Sequence, residues 1–279
     1  MIIWLASYPK SGNTWMRLFL KSYFSDKQKD LEINTKIGSD EFRPYGFPDM
    51  NMFKDLDINY ESFFDIVKNW ESMQDIINLN GKTNYVKTHN ALCTINNTKF
   101  TSPKNTLGAI YIVRDPRDVL LSYSDYIGQD HNKTSDLMLK DDNYEKGEIK
   151  NTPYNRAVLG SWSNHFNSWK SYKEAETIIV KYEDMIKNPD QTFLRVIKYL
   201  NKLDNIPVNK KKISHAISET NFKKLQDKEN KIGFEDNAGM GKKFFRKGKS
   251  GTWVNELNEK LAKKIEKAFK SEMEELNYI

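Results

Sequence analysis

Hydrophobic positions in this chain alternate between short continuous runs and stripes at helical spacing. The first run, at residues 2–6, is followed by a small polar loop and then by apolar residues at helical spacing up to Tyr23. Three later runs predict strands at 84–89, 107–113 and 177–182. Strands that alternate with helices indicate an α/β protein with a mainly parallel sheet.

The segments between these strands carry the apolar stripes of helices that face a core. They predict helices at 60–79, from Pro116 through Tyr123, and at 157–172, 189–200, 209–226 and 255–277. Three polar stretches without periodicity are predicted as lid or acceptor loops, at 25–59, 128–152 and 228–250. No repeat or shift of composition divides the chain, so a single domain over residues 1–279 is expected.

Composition places the chain among globular proteins and adds a hint about its ligand. The hydrophobic fraction of 38% supplies a sizeable core, and the net charge of +6 suits an anionic ligand, although solvated Lys-rich helices give the same total. A single cysteine, Cys93, excludes an internal disulfide framework and fits a reducing compartment. Neither a signal peptide nor a run long enough to span a bilayer is recognisable, so we expect a soluble, cytoplasmic protein.

The polar loop after the first strand has the features of an anion cradle. A helix N-terminus offers free backbone N–H groups and partial positive charge, and Gly12 lets a ligand approach closely. Lys10 adds a full charge, while Ser11, Asn13 and Thr14 lie where an N-cap is expected. The loop lacks the first Gly of a nucleoside-triphosphate P-loop, and its Lys precedes the Gly. It predicts a phosphate or sulfate seat, against the alternative of an ordinary strand-to-helix turn.

Other charged side chains also fall at the carboxyl ends of predicted strands, where parallel sheets bind ligands. Lys87 and His89 share one face of a strand end, and a His beside an anion site is a suitable general base. Arg114 closes the next strand with a planar fork for phosphate oxygens. The neighbouring Arg117 and Asp118 are interpreted as a solvated or helix-capping pair and are left out of the site.

The three other histidines are weaker candidates for chemistry. His131 falls in a charged loop, and His165 and His215 fall in helices with aromatic or Lys neighbours. Ordinary solvated or packed roles are expected for them.

Four segments, taken together and in order, resemble one family. They are P-K-S-G-N-T-W at 9–15, K-T-H at 87–89, the strand and helix from Ile110 to Tyr123, and R-K-G-K-S-G-T-W at 246–253. This order is similar to that of the sulfotransferases that use 3′-phosphoadenosine 5′-phosphosulfate (PAPS) and release adenosine 3′,5′-bisphosphate (PAP). The resemblance implies a P-loop-NTPase-like, three-layer α/β fold with a mainly parallel sheet flanked by helices.

The resemblance also implies a role for each matched residue. His89 is the general base, and Lys10 and Lys87 balance charge on the sulfuryl group. The 5′-phosphosulfate is bound by the loop of Lys10, Ser11, Gly12, Asn13 and Thr14. The 3′-phosphate is bound by Arg114, Ser122, Arg246, Lys247 and Gly248, and Thr252 departs from the family in standing where an acidic residue is common. Adenine is contacted by Trp15, Tyr182, Thr220 and Phe222, although each aromatic side chain could equally belong to the core.

Two other functions remain as alternatives. A nucleotide kinase would need magnesium and bind ATP, and an Arg where a Walker-B carboxylate would stand argues against it. A non-catalytic module would bind nucleic acid or the bisphosphate through the basic loops, and the K-T-H segment argues against it. We expect no metal, because no ligands occur at metal spacing, and no nucleic-acid partner. Sugar, lipid, phenol, amine and peptide acceptors stay open, as does the oligomeric state.

Overall fold

The strands of the protein divide into a main sheet and a hairpin. The computed structural model describes residues 1–25, 30–34, 42, 44–54, 56–59, 62–142, 157–235 and 243–279. Its strands are Ile2–Ser7 (β1), Tyr45–Gly46 (β2), Asn84–Thr88 (β3), Thr94–Ile95 (β4), Thr98–Lys99 (β5), Thr106–Val113 (β6) and Glu176–Lys181 (β7). The main sheet has the order β2-β3-β1-β6-β7, and all its pairings are parallel. β4 and β5 form an antiparallel hairpin.

Helices connect the strands of the main sheet and follow its last strand. They are Asn13–Phe24 (α1), Phe63–Lys68 (α2), Trp70–Asn78 (α3), Pro116–Ile127 (α4), His131–Leu139 (α5), Trp162–Lys170 (α6), Tyr182–Lys187 (α7), Pro189–Asp204 (α8), Lys210–Glu219 (α9), Phe222–Ile232 (α10), Trp253–Glu256 (α11), Glu259–Ala268 (α12) and Lys270–Glu275 (α13). A 3₁₀ turn spans Met50–Phe53. In the described part of the chain, no helix combines the length and hydrophobicity needed to cross a membrane.

The central strand β1 is buried on both faces, which explains its continuous apolar run. Ile2, Trp4 and Ala6 pack into one core, and Ile3 and Leu5 pack into another on the opposite face. Helices α1, α7, α8 and α9 cover the second face, and α2, α3, α4, α6 and α12 cover the first. The predicted three-layer α/β architecture is confirmed.

All three predicted loops contain regular structure, which within 228–250 is the end of α10, up to Ile232. Within 25–59, β2 joins the edge of the main sheet by pairing with β3, where Gly46 lies opposite Lys87. Within 128–152, α5 begins after Asp130, whose carboxylate accepts the N–H groups of Asn132 and Lys133. α5 has a weak apolar stripe, which is why its periodicity gave no signal. The parts of the predicted loops at 26–29, 35–41, 43, 55, 143–152 and 236–242 lie outside the described residues.

Several predicted helices are divided, in two cases where an asparagine side chain caps a new helix. The prediction at 60–79 becomes α2 and α3, which meet at Asn69, while residues 60–61 are not described. The prediction at 209–226 becomes α9 and α10, where the side chain of Asn221 accepts the N–H of Lys223. The prediction at 255–277 becomes α11, α12 and α13, and Asn258 caps α12 in the same way.

Candidate functional site

A cavity of about 390 Å³ opens where β1, β3 and β6 end at the carboxyl edge of the sheet. Its wall contains each sequence-predicted site residue except Ser11. These lining residues are Lys10, Gly12, Asn13, Thr14, Trp15, Lys87, His89, Arg114, Ser122, Tyr182, Thr220, Phe222, Arg246, Lys247 and Gly248. Segments separated by more than 200 positions in the sequence therefore meet around one space.

The loop between β1 and α1 is shaped by two residues with positive φ. Lys10 has φ 64°, and Gly12, the N-cap of α1, has φ 105°. The expectation that a neighbouring side chain caps the helix is wrong: Asn13 donates instead to the backbone oxygen of Leu5 at 2.8 Å and to Ser7 Oγ at 3.3 Å. The loop is thus tied back to the strand that precedes it, and no described side chain caps the N-terminus of α1.

The cation of the loop, Lys10, lies between aromatic rings. Its Nζ is 4.3 Å from the ring centres of both Tyr126 and Phe244. Ser11 is fully buried beneath the loop, and its Oγ makes no hydrogen bond among the described residues. Thr14 lines the cavity and accepts a hydrogen bond from Arg17 Nη2 at 3.1 Å.

The imidazole of His89 is oriented by the end of β1. Its Nδ1 lies 2.8 Å from the backbone oxygen of Ser7. Because a carbonyl oxygen can only accept, Nδ1 carries the proton and Nε2 holds a lone pair in the neutral ring. Burial lowers the pKa of His89 well below its usual 6.5, and the charge of Lys87 lowers it further. The ring is therefore neutral at physiological pH.

A second histidine, His165, supports the first from inside the core. It is fully buried, and its Nε2–H donates to the backbone oxygen of His89 at 3.0 Å. Its Nδ1 accepts from the hydroxyl of Tyr111 at 2.9 Å. Burial lowers the pKa of His165 to about 4. The packed role expected for this residue agrees with its burial, and its contact with His89 could not be read from the sequence.

Arg114 joins three segments of the cavity wall. Its Nη1 donates to the backbone oxygen of Lys10 at 3.3 Å, and its Nη2 donates to that of Lys249 at 3.1 Å. The guanidinium lies 4.5 Å from the ring centre of Tyr182. Its Nε is buried and makes no hydrogen bond to the described residues. Arg114 thus presents its charge to the cavity while it links the loop after β1 to the loop before α11.

The loop before α11 brings two more cations to the cavity. Arg246 is paired with Asp125 and Lys247 with Glu256. Gly248 has φ 59°, and a Cβ at this position would come within 2.1 Å of the ring of Phe222. Glycine therefore allows the loop backbone to lie directly on this ring.

Aromatic and hydroxyl side chains form a further part of the cavity wall. Trp15 Nε1 donates to Thr220 Oγ1 at 3.2 Å, and the rings of Trp15 and Tyr182 meet edge to face with centres 6.0 Å apart. A Cβ on Gly12 would lie 2.6 Å from the ring of Tyr182. These contacts form a partly apolar wall beside the anion loop.

Of the two roles expected for Arg117 and Asp118, solvated or helix-capping, the solvated one is wrong, because both side chains are buried, and Asp118, which the prediction leaves out of the site, lines the cavity. Arg117 pairs with Asp115 at 2.7 Å and with Glu266 at 2.6 Å. Asp118 accepts the backbone N–H groups of Gly251 at 2.6 Å and of Trp253 at 3.0 Å. In the sequence, Asp118 is marked only by its position one helical turn after Arg114. Solvated ion pairs have the same spacing, so this position does not reveal that Asp118 binds backbone N–H groups.

Within the described residues, no group of three or more His, Cys, Asp and Glu side chains is arranged to hold a metal ion. The central strand β1, the glycine-containing loop that follows it at the carboxyl edge of the parallel sheet, and α1 place the protein in the P-loop-like class of α/β folds. The chain belongs to the sulfotransferase domain family, whose sequence profile matches residues 2–277.

Relatives and solved structures agree with this assignment over nearly the whole chain. The chain is 26% identical to sulfotransferase 1B1 of Canis lupus familiaris, over 96% of this chain and 82% of the relative. It is 24% identical to cytosolic sulfotransferase 16 of Arabidopsis thaliana, over 94% of this chain and 73% of the relative. The fold resembles that of mouse sulfotransferase SULT7A1 complexed with PAP, with a TM-score of 0.57 and 20% sequence identity. The match covers 98% of this chain and 84% of the mouse chain. It also resembles that of retinol dehydratase in complex with retinol and PAP, with a TM-score of 0.60 and 17% sequence identity. This match covers 98% of this chain and 81% of the retinol dehydratase chain.

Proposed function

We propose that this protein transfers a sulfuryl group from PAPS to a hydroxyl or amine acceptor, with His89 as the general base. The observation that carries the proposal is the meeting of Lys10, His89 and Arg114 in the wall of one cavity. The mouse sulfotransferase and the retinol dehydratase with the same fold are complexes with PAP, the product that such a reaction would release.

Two groups of cationic side chains in the cavity wall suit the two charged groups of the donor. The helix N-terminus with Lys10 offers N–H groups and charge to the 5′-phosphosulfate. Arg114, with the cations Arg246 and Lys247, offers charge-assisted hydrogen bonds to the 3′-phosphate. Ser122 lines the same wall, and Trp15, Tyr182, Thr220 and Phe222 provide the surface for adenine.

Three features of the cavity test whether the residues fit this donor. The buried Oγ of Ser11 and Nε of Arg114 are polar atoms without a hydrogen-bond partner among the described residues, as expected beside an anion site. Gly12 and Gly248 lie so close to the rings of Tyr182 and Phe222 that a Cβ at either position would clash, so the absence of a side chain lets these rings pack against the cavity wall. The donor set is therefore compatible with PAPS.

His89 is suited to accept the proton of the attacking acceptor. PAPS supplies the sulfuryl group when bound, and the neutral imidazole takes the acceptor proton at Nε2. Lys10 and Lys87 stabilise the negative charge that develops during the transfer. The relative named as a cytosolic sulfotransferase and the single cysteine support a cytoplasmic location for this reaction.

The proposal is tested by calorimetric titration of PAP and, separately, of ATP with magnesium, using wild type and Arg114→Ala. We expect tighter binding of PAP than of ATP and at least a tenfold loss of PAP affinity in Arg114→Ala, equivalent to 1.4 kcal/mol. Tighter binding of ATP, or no effect of the substitution, would contradict the proposal. Sulfuryl transfer from PAPS is then measured with a panel of one phenol, one primary amine and one sugar.

A further inference from the structure

The loop that carries Arg246, Lys247 and Gly248 takes its shape from carboxylates on two helices. Residues 243–252 contain neither helix nor strand. The backbone N–H groups of such a segment need acceptors from elsewhere in the protein. At both ends of this loop, a single buried carboxylate accepts two of them.

Glu229 on α10 holds the first end of the loop. Its Oε1 accepts the N–H of Phe244 at 2.6 Å, and its Oε2 accepts the N–H of Phe245 at 2.9 Å. Gln226, one turn earlier on α10, donates from Nε2 to the backbone oxygen of Phe245 at 2.9 Å. Three hydrogen bonds thus attach this end of the loop to one face of α10.

Asp118 on α4 holds the second end. Its side chain is fully buried, with Oδ2 accepting the N–H of Gly251 and Oδ1 accepting the N–H of Trp253. The hydroxyl of Thr252 donates to the same Oδ1 at 3.1 Å. Asp118 also lies 3.8 Å from Arg114 Nη2, so it orients a third part of the cavity wall.

Negative charge beside an anion site is unfavourable on Coulombic grounds alone. Any favourable effect of these two carboxylates on anion binding must therefore come from geometry. A carboxylate can accept hydrogen bonds on both oxygens, whereas an amide cannot. Arg246, Lys247 and Gly248 lie between the two attached ends. Their donors are consequently held at a fixed distance from Arg114.

We infer that Glu229 and Asp118 are positioning residues that set the selectivity of this cavity for a 3′-phosphorylated nucleotide. The inference rests on the proposed function, because it assigns the loop to the 3′-phosphate of PAPS. In Glu229→Gln and Asp118→Asn, an NH₂ group replaces one oxygen and faces a backbone N–H. The donor-to-donor contact releases that end of the loop.

The experiment measures dissociation constants for PAP and adenosine 5′-monophosphate by calorimetry. The two ligands differ by the 3′-phosphate, so the ratio of their constants isolates its contribution, and 5′-monophosphate binding reports that the variant is folded. We expect the preference for PAP to fall at least tenfold in each variant, with less than twofold change for the monophosphate. Asp227→Asn, on the exposed face of α10, is the control for the same loss of charge.

The direction in which the preference for PAP changes separates a positioning role of the two carboxylates from an electrostatic one. Removal of a negative charge alone strengthens PAP binding, so an unchanged or increased preference for PAP would overturn the inference. Thr252→Val removes a single hydrogen bond to Asp118 and is expected to lower the preference about threefold, which keeps the test open if Asp118→Asn does not fold. A wild-type protein without preference for PAP would instead contradict the proposed function itself.

Discussion

The imidazole of His89 and the backbone carbonyl of Ser7 are joined by a hydrogen bond of 2.8 Å at the edge of the sheet. Ser7 ends β1, the strand that leads into the anion loop. The same strand end therefore fixes the tautomer of the proposed base and the start of the loop that is proposed to bind the donor. The proposed acceptor activation and the proposed donor binding would thus depend on the same strand end.

Substitution of the proposed base should separate catalysis from binding. We expect His89→Ala to lower the rate of sulfuryl transfer by about 10²- to 10⁴-fold, because a positioned base contributes on that scale. PAP affinity should stay within about twofold, since the 5′ and 3′ anion sites are formed by other residues. Transfer rates and calorimetry on the same preparations check both expectations. Full transfer activity in His89→Ala would contradict the role of His89.

The pH dependence of transfer should reflect the lowered pKa of His89. The imidazole acts in its neutral form, so kcat/KM stays level on the acid side of neutrality and falls only at a pH below 6.5. Lys87→Met removes a nearby positive charge and should raise the pKa of His89. The acid limb, which is the fall of kcat/KM at low pH, should then move to higher pH, even if the substitution also lowers the maximal value of kcat/KM. Arg17→Met is the comparison, with a smaller shift expected because its charge has less effect on His89. An acid limb above pH 6.5, or one that Lys87→Met leaves in place, would contradict this assignment.

Stability at acid pH should depend on the buried His165. In the unfolded chain this residue takes up a proton near pH 6.5, whereas in the folded protein it does so near pH 4. The unfolded state thus binds more protons in this window, and the free energy of unfolding decreases as pH falls through it, by up to about 3 kcal/mol. Chemical denaturation at pH 7 and pH 4.5 measures the difference.

His165→Gln is the matched variant, because its amide can still donate to the backbone oxygen of His89 but does not titrate. Its stability should depend less steeply on pH than that of wild type. Equal pH dependence of the two proteins would show that other groups, not His165, control acid unfolding.

The meeting of three predicted site residues could be foreseen because a parallel sheet has a simple rule. Residues that follow the carboxyl ends of neighbouring strands meet at one edge, so Lys10, His89 and Arg114 could be placed together from three separate strand patterns. Hydrophobic patterning was informative for β1, because burial of both its faces gives a continuous apolar run. It failed for α5, whose few buried residues include Thr134 and Ser135.

The residues that hold the loops could not be predicted in the same way. Asp118 and Glu229 bind backbone N–H groups, which any sequence provides, and the partners of Asp118 lie more than 130 positions away. Arg117 resembles a solvated charge in the sequence, but in the structure Trp253 packs over its guanidinium at 3.7 Å, and Asp115 and Glu266 pair with it. Such roles depend on tertiary contacts that leave no local pattern.

Two glycines of the loop before α11 allow backbone conformation to be separated from close packing. Gly248 and Gly251 have similar positive φ values, 59° and 74°. A Cβ on Gly248 would lie 2.1 Å from the Phe222 ring, whereas a Cβ on Gly251 would meet nothing within 4 Å. Alanine at either position is disfavoured by about 1–2 kcal/mol through its φ alone. We therefore expect Gly251→Ala to lower stability and leave PAP affinity nearly unchanged, and Gly248→Ala to lower PAP affinity at least tenfold as well.

Phe222→Leu provides the rescue for Gly248→Ala, because a smaller side chain leaves room for the added Cβ. Calorimetry with PAP and thermal denaturation of the two single alanine variants and the double variant give the comparison. If contact with the ring displaces Gly248 and the adjacent cations, the double variant should bind PAP more tightly than Gly248→Ala, despite its altered adenine wall. Equal loss of PAP affinity in Gly248→Ala and Gly251→Ala would attribute the effect to backbone strain and remove the close packing on Phe222 as its cause.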